Sequence, residues 1–584
     1  MLKHCVYCLY LHSFLYFCTL ERKMCNSGIQ QMEKDRFIAL IEKSITNNWE
    51  AEALTDYKGE TLKFSDVARI IEKIHLAFER AGIRRGDNIA VCGRNSAHWA
   101  TTFLAVITYG AVAVPILHEF KADQIHNLVN HSEARFLFVG NFVREEIDVD
   151  AMPTLEGIID LTDFSFVALR TPNIPAEIDY LDQLFNARFA GGFGPYDIHY
   201  VSEASLETLA IINYTSGTTG CSKGVMLPYR SLLSNIRHCA DKIGIRPGDA
   251  IVSMLPLGHV FGMTFDFLYG FISGAHLYFL TRMPTPQIIA ESFPIIRPRV
   301  IACVPLVIEK IFRREILPLQ EKRLYRYGSK LLFLKHIFNQ QLRKKALEVF
   351  GGNFIEVIVG GAPFSEDIER FARSIRFPYT QAYGMTECGP IICHSHWKDI
   401  RMGSCGKVGR GMEVKVLSDD PHKIPGELVC RGDNLMLGYF KNEEATRQVI
   451  DKDGWLHTGD MAVIDKHGNV FIKGRCKNML LTAAGQNIYP EEIESKLNSM
   501  PYVNESLVLL QRNRLIALVY PDMNMAEENG LTESELEKVF DTNRKELNKQ
   551  LPAYAQIMKM QLHPVEFEKT AKKSIKRFLY QNHK

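Results

Sequence analysis

Short apolar runs separated by segments of helical periodicity recur along this chain: Asn88 to Cys92, Ile251 to Leu255, Leu277 to Leu280, Val300 to Val304 and Ile355 to Val359. Runs this short, apolar on successive residues rather than alternate ones, predict strands buried on both faces. Strands of that kind belong to largely parallel sheets covered by helices. The predicted fold is therefore layered α/β, with no fixed-period repeat. At 584 residues the chain exceeds one ordinary hydrophobic core, so at least two domains are expected.

Composition narrows the class. With 46% hydrophobic and 23% charged residues the chain has globular values, which argue against disorder or a polytopic membrane protein. A net charge of +2 gives no overall electrostatic reason to bind nucleic acid. The 13 cysteines are mostly scattered singly, which favours reduced thiols in a cytoplasmic protein over a disulfide framework. Cys5 and Cys8 form an isolated C-x-x-C without the further pair that a structural zinc site needs. The apolar stretch His4 to Leu20 contains His12 and lacks a clear cleavage site, whereas Met32 onward looks like an ordinary soluble start. Residues 1–33 are accordingly expected to be a non-native extension, translated from upstream of the true start, or a poorly ordered segment, with a membrane anchor as the alternative.

The stretch Tyr214 to Met226 (YTSGTTGCSKGVM) has the composition of a polyphosphate cradle. Gly217 and Gly220 let the backbone approach closely, the hydroxyls of Thr215, Ser216, Thr218 and Thr219 can donate to phosphate oxygens, and Lys223 adds a positive charge. Leu209 to Ile212 reads as a strand entering the loop, and Leu232, Leu233, Ile236 and Cys239 recur at helical spacing after it. Strand, glycine loop and helix is a phosphate-binding order, so ATP is the expected ligand. The P-loop pattern GxxxxGK[ST] does not fit, because Ser222 and Gly224 occupy its diagnostic positions.

Four further stretches follow: VGGAPF (359–364), QAYGMTE (381–387), GWLHTGD (454–460) and GRCK (474–477). In this order and spacing the chain, from about residue 34 to its end, resembles the adenylate-forming superfamily of acyl-CoA synthetases, luciferases and peptide-synthetase adenylation domains. Within it the look is that of long-chain fatty acyl-CoA synthetases. The resemblance implies a large domain of α/β subdomains over 34–475, a hinge at 476–477 and a small, mobile α+β domain over 478–584. It implies that the turn Gly360, Gly361, Ala362 and Pro363 packs on adenine and that Tyr383, beside Gly384, stacks near it. Thr386 would contact the α-phosphate, Glu387 would hold Mg²⁺, Asp460 would accept the ribose hydroxyls and Arg475 would contact ribose or phosphate. Lys477 would be the hinge, and Gly485, in TAAGQNIYPEEIE (482–494), would line the CoA tunnel once the small domain has turned. The carboxylates of Glu491, Glu492 and Glu494 read as an ordinary acidic helix start after Pro490.

Three features qualify the resemblance. His259, in LPLGHVFG (255–262), matches a position that gates thiol access, and a steric role is favoured over acid–base chemistry. At the C-terminus, TAKKSIKR (570–577) puts Ser574 where the family carries a lysine; Lys573 is the nearest substitute, with Lys572 and Lys576 as further candidates. Asn478 stands where many relatives carry an acid.

Substrate class rests on VPLVIEKIF (304–312), which resembles a long-chain segment, and on the aromatic stretch Phe261 to Phe271, which apart from Asp266 offers no partner for a polar substrate. The basic segment Glu309 to Lys345 reads either as a solvated helical face or as a peripheral contact with the inner face of the cell membrane. The expected activity is ligation of a medium- to long-chain fatty acid to CoA through acyl-AMP. Delivery to an acyl-carrier protein, and a catalytically weak acyl-adenylate or nucleotide-binding protein, are the alternatives.

Overall fold

The computed structural model describes residues 36–171, 180–200, 203–215, 222–281, 284–321, 332–481, 486–511, 514–570 and 575–580. Ser216, Gly217, Thr218, Thr219, Gly220, Gly485, Lys572, Lys573 and Ser574 lie outside the described residues, as do Cys5, Cys8 and the stretch 1–33.

Two eight-stranded sheets form the body of the large domain. In the first, the adjacent strands Leu209–Thr215, Val112–Ile116, Asn88–Cys92, Phe136–Val139 and Gly157–Asp160 run parallel. In the second, the parallel set is Tyr379–Gly384, Glu356–Gly360, Val300–Cys303, Ala250–Ser253, His276–Phe279 and Glu52–Asp56. Each sheet is finished on both sides by antiparallel strands: Lys223–Pro228 with Gly438–Tyr439 and Phe166–Leu169 in the first, Ile391–His394 and Thr61–Lys63 in the second. The expected α/β layering is thus present. It follows from runs such as Val112–Ile116 and Val300–Cys303, every residue of which is buried.

The largest core packs helices between the sheets, with Phe64, Trp99, Phe103, Phe267 and Phe271 among its fully buried side chains. A four-stranded antiparallel sheet (Met412–Leu417, Gly426–Gly432, Leu456–Ile464, Val470–Arg475) closes this domain. Beyond it, Val503–Gln511, Arg514–Pro521 and Lys559–Leu562 form a three-stranded sheet with its own core around Leu497, Val508, Phe540 and Ile557.

One local expectation is corrected. The phosphate-type loop does not lead from a strand into a helix; it joins two antiparallel strands, with Thr215 paired to Lys223, and the helix begins only at Tyr229. Val225 and Leu227 are fully buried and Gly224 packs against Ile212, Tyr214 and Phe440, so the residues after Lys223 gain more as a sheet strand than as a helical turn. Leu232, Leu233, Ile236 and Cys239 are all buried on the helix that follows.

Candidate active site

Four sequence stretches meet because each follows the C-terminal end of a parallel strand in the second sheet. The loop containing His259 follows Ala250–Ser253, Val304 follows Val300–Cys303, the turn Gly361 to Pro363 follows Glu356–Gly360, and Met385 to Glu387 follows Tyr379–Gly384. Carboxyl ends of strands are where open α/β sheets place ligands. Gly361, Ala362 and Pro363 are exposed, presenting a turn with little side chain, and Gly361 has the positive φ (86°) that glycine adopts without strain. At Gly384 a Cβ would lie 1.9 Å from the Pro390 carbonyl oxygen, so the close approach of the two chain segments requires glycine.

Tyr383, Asp460 and Arg475 form one hydrogen-bonded unit. The Tyr383 hydroxyl donates to Asp460 Oδ2 at 2.5 Å, and Arg475 Nε lies 2.9 Å from Asp460 Oδ1. Asp460 and Arg475 face each other across two antiparallel strands, so their pairing is fixed by sheet register. Burial raises the Asp460 carboxyl above its ordinary value, opposed by the guanidinium of Arg475 and by the Tyr383 hydrogen bond. A carboxylate has roughly four acceptor positions, so two donors leave it able to accept two more.

Glu387 belongs to a second unit that the sequence did not reveal. Its Oε1 accepts from the Tyr439 hydroxyl at 2.8 Å, and the ring of Tyr439 lies 4.8 Å beneath Lys223 Nζ. Tyr439 reaches both because its two-residue strand pairs with Met226 and Val225 beside Lys223, while the Met436 amide donates to the Glu387 carbonyl. No motif marks Tyr439. Its only sequence signal is a tyrosine after glycine, within the apolar run Leu435 to Phe440.

Thr386 is buried in the 3₁₀ turn Thr386–Cys388. Among the described residues no three His, Cys, Asp or Glu side chains are grouped to hold a metal ion by themselves. A divalent cation here would therefore take its ligands from Glu387, phosphate oxygens and water, the donor set of Mg²⁺ at phosphate sites.

His259 is half-buried, and its Nδ1 accepts from the Phe261 amide at 3.2 Å, which leaves the proton of the neutral ring on Nε2. The aromatic stretch after it divides in two. Phe267 and Phe271 pack into the core against Phe103 and Phe64. Phe261 instead turns to Gly360, where a Cβ would come within 3.0 Å of its ring, and stacks edge-on with Phe265 at 5.3 Å. Asp266 offers nothing to a substrate: it is buried, its Oδ2 accepts from the amides of Met254 and Leu255, and burial pushes its carboxyl up to about 8.

Glu309, expected in a solvated basic run, is half-buried and accepts from the Ser365 amide at 2.8 Å, which pins the segment just after the Gly361 to Pro363 turn. Arg313 in the same run pairs with Asp367 at 2.9 Å. Lys322, Arg323, Arg326 and Lys330 lie outside the described residues. Among the described residues no helix is long and apolar enough to cross a membrane.

Lys477 sits in the short turn Cys476–Asn478 between the two domains. Around it Asn478 donates to Glu491 at 2.6 Å and Lys473 pairs with Glu492 at 3.0 Å, while Glu494 is buried against Arg577. The acidic helix start after Pro490 therefore makes structural contacts. Lys576 pairs with Glu568 at 3.3 Å.

Residues 41–440 match the family model of the AMP-binding enzymes, and residues 477–583 match that of the AMP-binding enzyme C-terminal domain. The chain belongs to the AMP-binding enzyme family. The two matches together cover most of this adenylate-forming enzyme's length and support the class of AMP-forming acid–CoA ligases. It is 26% identical over 502 residues to 4-coumarate-CoA ligase 1 of Narcissus pseudonarcissus, covering 82% of this chain and 83% of that one. It is 27% identical over 513 residues to a long-chain-fatty-acid–CoA ligase of Escherichia coli O157:H7, covering 81% and 83%. Among solved structures, the anthranilate CoA ligase AuaEII in complex with anthranoyl-AMP superposes with a TM-score of 0.73 at 19% identity, over 94% of this chain and 96% of that one. The fold of this AMP-binding enzyme is thereby the adenylate-forming fold, a large α/β domain followed by a small C-terminal one.

Proposed function

We propose that this AMP-binding enzyme is an ATP-dependent fatty acid:CoA ligase acting on medium- to long-chain acids. The observation that carries the proposal is that two units, Tyr383–Asp460–Arg475 and Glu387–Tyr439–Lys223, are anchored four residues apart on one stretch of chain, at Tyr383 and Glu387. In the first half-reaction a carboxylate oxygen of the acid attacks the α-phosphorus of ATP, the α–β phosphoanhydride bond breaks, and pyrophosphate leaves. In the second, the CoA thiol loses its proton and its sulfur attacks the acyl carbon; the bond to the phosphate oxygen breaks and AMP departs. AMP is a far better leaving group than oxide, which is why the acid must be adenylated first.

The protein supplies position and charge rather than a nucleophile. Tyr383 and the Gly360 to Pro363 turn would hold adenine, Asp460 would accept the ribose hydroxyls, and Arg475 would hold ribose or phosphate. Thr386 would donate to the α-phosphate. Lys223, with Thr215, Ser216, Gly217, Thr218, Thr219 and Gly220, would neutralise and cradle the leaving phosphates. Mg²⁺ held by Glu387 would neutralise phosphate charge when bound. Phe261 and Phe265 give the acid an apolar wall, and His259 stands at the entrance for the thiol. Rotation of the small domain about Lys477 would withdraw Lys573 after adenylation and bring Gly485 to the CoA path.

Pyrophosphate release across a panel of acids, with and without CoA, tests this. Release that depends on an aliphatic acid, with AMP and acyl-CoA appearing when CoA is added, is expected. Release without CoA consumption would point to a carrier protein as acceptor, and no release with any acid would refute the assignment.

A further inference from the structure

The apolar wall ends in a pair of buried imidazoles that the adenylation chemistry does not use. Gly360, Ala382 and His394 lie opposite one another across three adjacent strands and so share one face of the sheet. Phe261 covers Gly360, Phe265 stands edge-on to Phe261, and the His394 ring lies 6.1 Å from Phe265. A line of ring contacts therefore links the nucleotide turn to His394 over two interstrand spacings, about 10 Å. Behind His394 stands His238, with 3.1 Å between His238 Nε2 and His394 Nδ1.

The direction of these hydrogen bonds follows from the backbone. The Arg410 amide can only donate, and it donates to His238 Nδ1 at 3.1 Å. The proton of a neutral His238 is then on Nε2, which donates to His394 Nδ1, so the proton of a neutral His394 is on its own Nε2. Burial favours the neutral form of both rings, holding His238 at about 4 and His394 well below its ordinary value. His394 Nε2 has no partner among the described residues. A buried, unpaired N–H donor costs free energy on the order of 1–3 kcal/mol, so this one is suited to an acceptor brought from outside.

His394 also lines a cleft of about 420 Å³ whose other walls include Lys242, Lys407, His396, His467, Asp399 and Asn469. Two lysines against one aspartate make the surroundings of His394 more welcoming to an anion than to a methyl group. We infer that the acid this enzyme adenylates carries a second hydrogen-bond acceptor, above all a second carboxylate, at the far end of its chain, received by the Nε2–H of His394. This rests on the assignment as an acid:CoA ligase and narrows its substrate class from simple fatty acids to acids with a polar distal end.

The test compares pyrophosphate release from linear monocarboxylic acids and from α,ω-dicarboxylic acids of matched carbon number, using the full-length wild-type protein and the variants His394→Leu and His394→Gln. The wild type is expected to favour the dicarboxylic acid in kcat/KM. His394→Leu is expected to lower the ratio of dicarboxylic to monocarboxylic kcat/KM at least about tenfold, through KM rather than kcat, because a hydrogen bond to a charged group is worth about 1.5–3 kcal/mol. Glutamine retains a donor, so His394→Gln is expected to recover part of the ratio. Thermal unfolding of each variant identifies any loss of fold. Pyrophosphate release from monocarboxylic acids that equals or exceeds release from their dicarboxylic counterparts, with a ratio unmoved in His394→Leu, would overturn the inference and assign His394 Nε2–H to water, leaving the ligase assignment intact. Absence of release from every acid would instead overturn the assignment on which the inference rests.

Discussion

Tyr439 donates to the carboxylate of Glu387 while its ring carries the ammonium of Lys223, so one side chain fixes the distance between the acid and the base of the proposed phosphate end. Tyr439→Phe keeps the ring and removes only the donor. Loss of a hydrogen bond to a charged acceptor, about 1.5–3 kcal/mol, is expected to reduce kcat/KM for pyrophosphate release roughly ten- to a hundredfold while leaving thermal unfolding nearly unchanged. Glu387→Gln is expected to lose more, because it removes the charge itself. At the proposed ribose end, Asp460→Ala leaves Arg475 and the Tyr383 hydroxyl without their shared acceptor. ATP binding measured by titration calorimetry is expected to weaken at least tenfold in Asp460→Ala, and less in Tyr383→Phe, which frees one acceptor position but keeps the ring.

The π-helical turn Met263–Leu268 carries residues with three separate jobs: Phe265 packs against Phe261 and His394, Phe267 against Phe103 in the core, and Asp266 accepts from the amides of Met254 and Leu255 that begin the His259 loop. Because burial raises the Asp266 carboxyl from 3.8 to about 8, the folded state binds its proton more tightly than the unfolded state. Its contribution to stability is fully present below about pH 4 and is lost as pH rises through about 8. Asp266→Asn cannot ionise, so the fall in melting temperature over that window is expected to flatten in the variant; an unchanged pH profile would count against this role. Glu309→Ala, which strands the Ser365 amide, is expected to lower stability by about 1–3 kcal/mol in denaturant unfolding. These elements also show what the sequence could and could not disclose. Asn88–Cys92 was legible to the residue because its apolar run is uninterrupted. Lys223–Pro228 was not, since a six-residue strand after a glycine loop, with buried residues in adjacent pairs rather than in alternation, is too short to distinguish from a helix start. Asp460 and Arg475 were legible as motif residues. Tyr439, Glu309 and the pair His238–His394 were not, because their meaning lies in contacts across 52, 56 and 156 residues of chain.

At the scale of the whole molecule, the large domain and the small C-terminal one are joined, among the described residues, by polar contacts that include Lys473 to Glu492 and the hydroxyls of Ser365 and Ser499. An interface held by such contacts can exchange partners at low cost, which suits an enzyme that must release pyrophosphate and then admit a thiol at one centre. Lys477→Pro, which fixes φ near −65°, is expected to slow thioester formation from supplied acyl-AMP far more than pyrophosphate release, measured in separate half-reactions. Equal slowing of both would remove the hinge from the account. The central claim is that the acid passes through an acyl-adenylate. Turnover of a carboxylate labelled with oxygen-18, followed by mass spectrometry of the nucleotide product, reads that step directly. One labelled oxygen in AMP, and none in pyrophosphate, is the expected result; unlabelled AMP, or label in pyrophosphate or free phosphate, would contradict it.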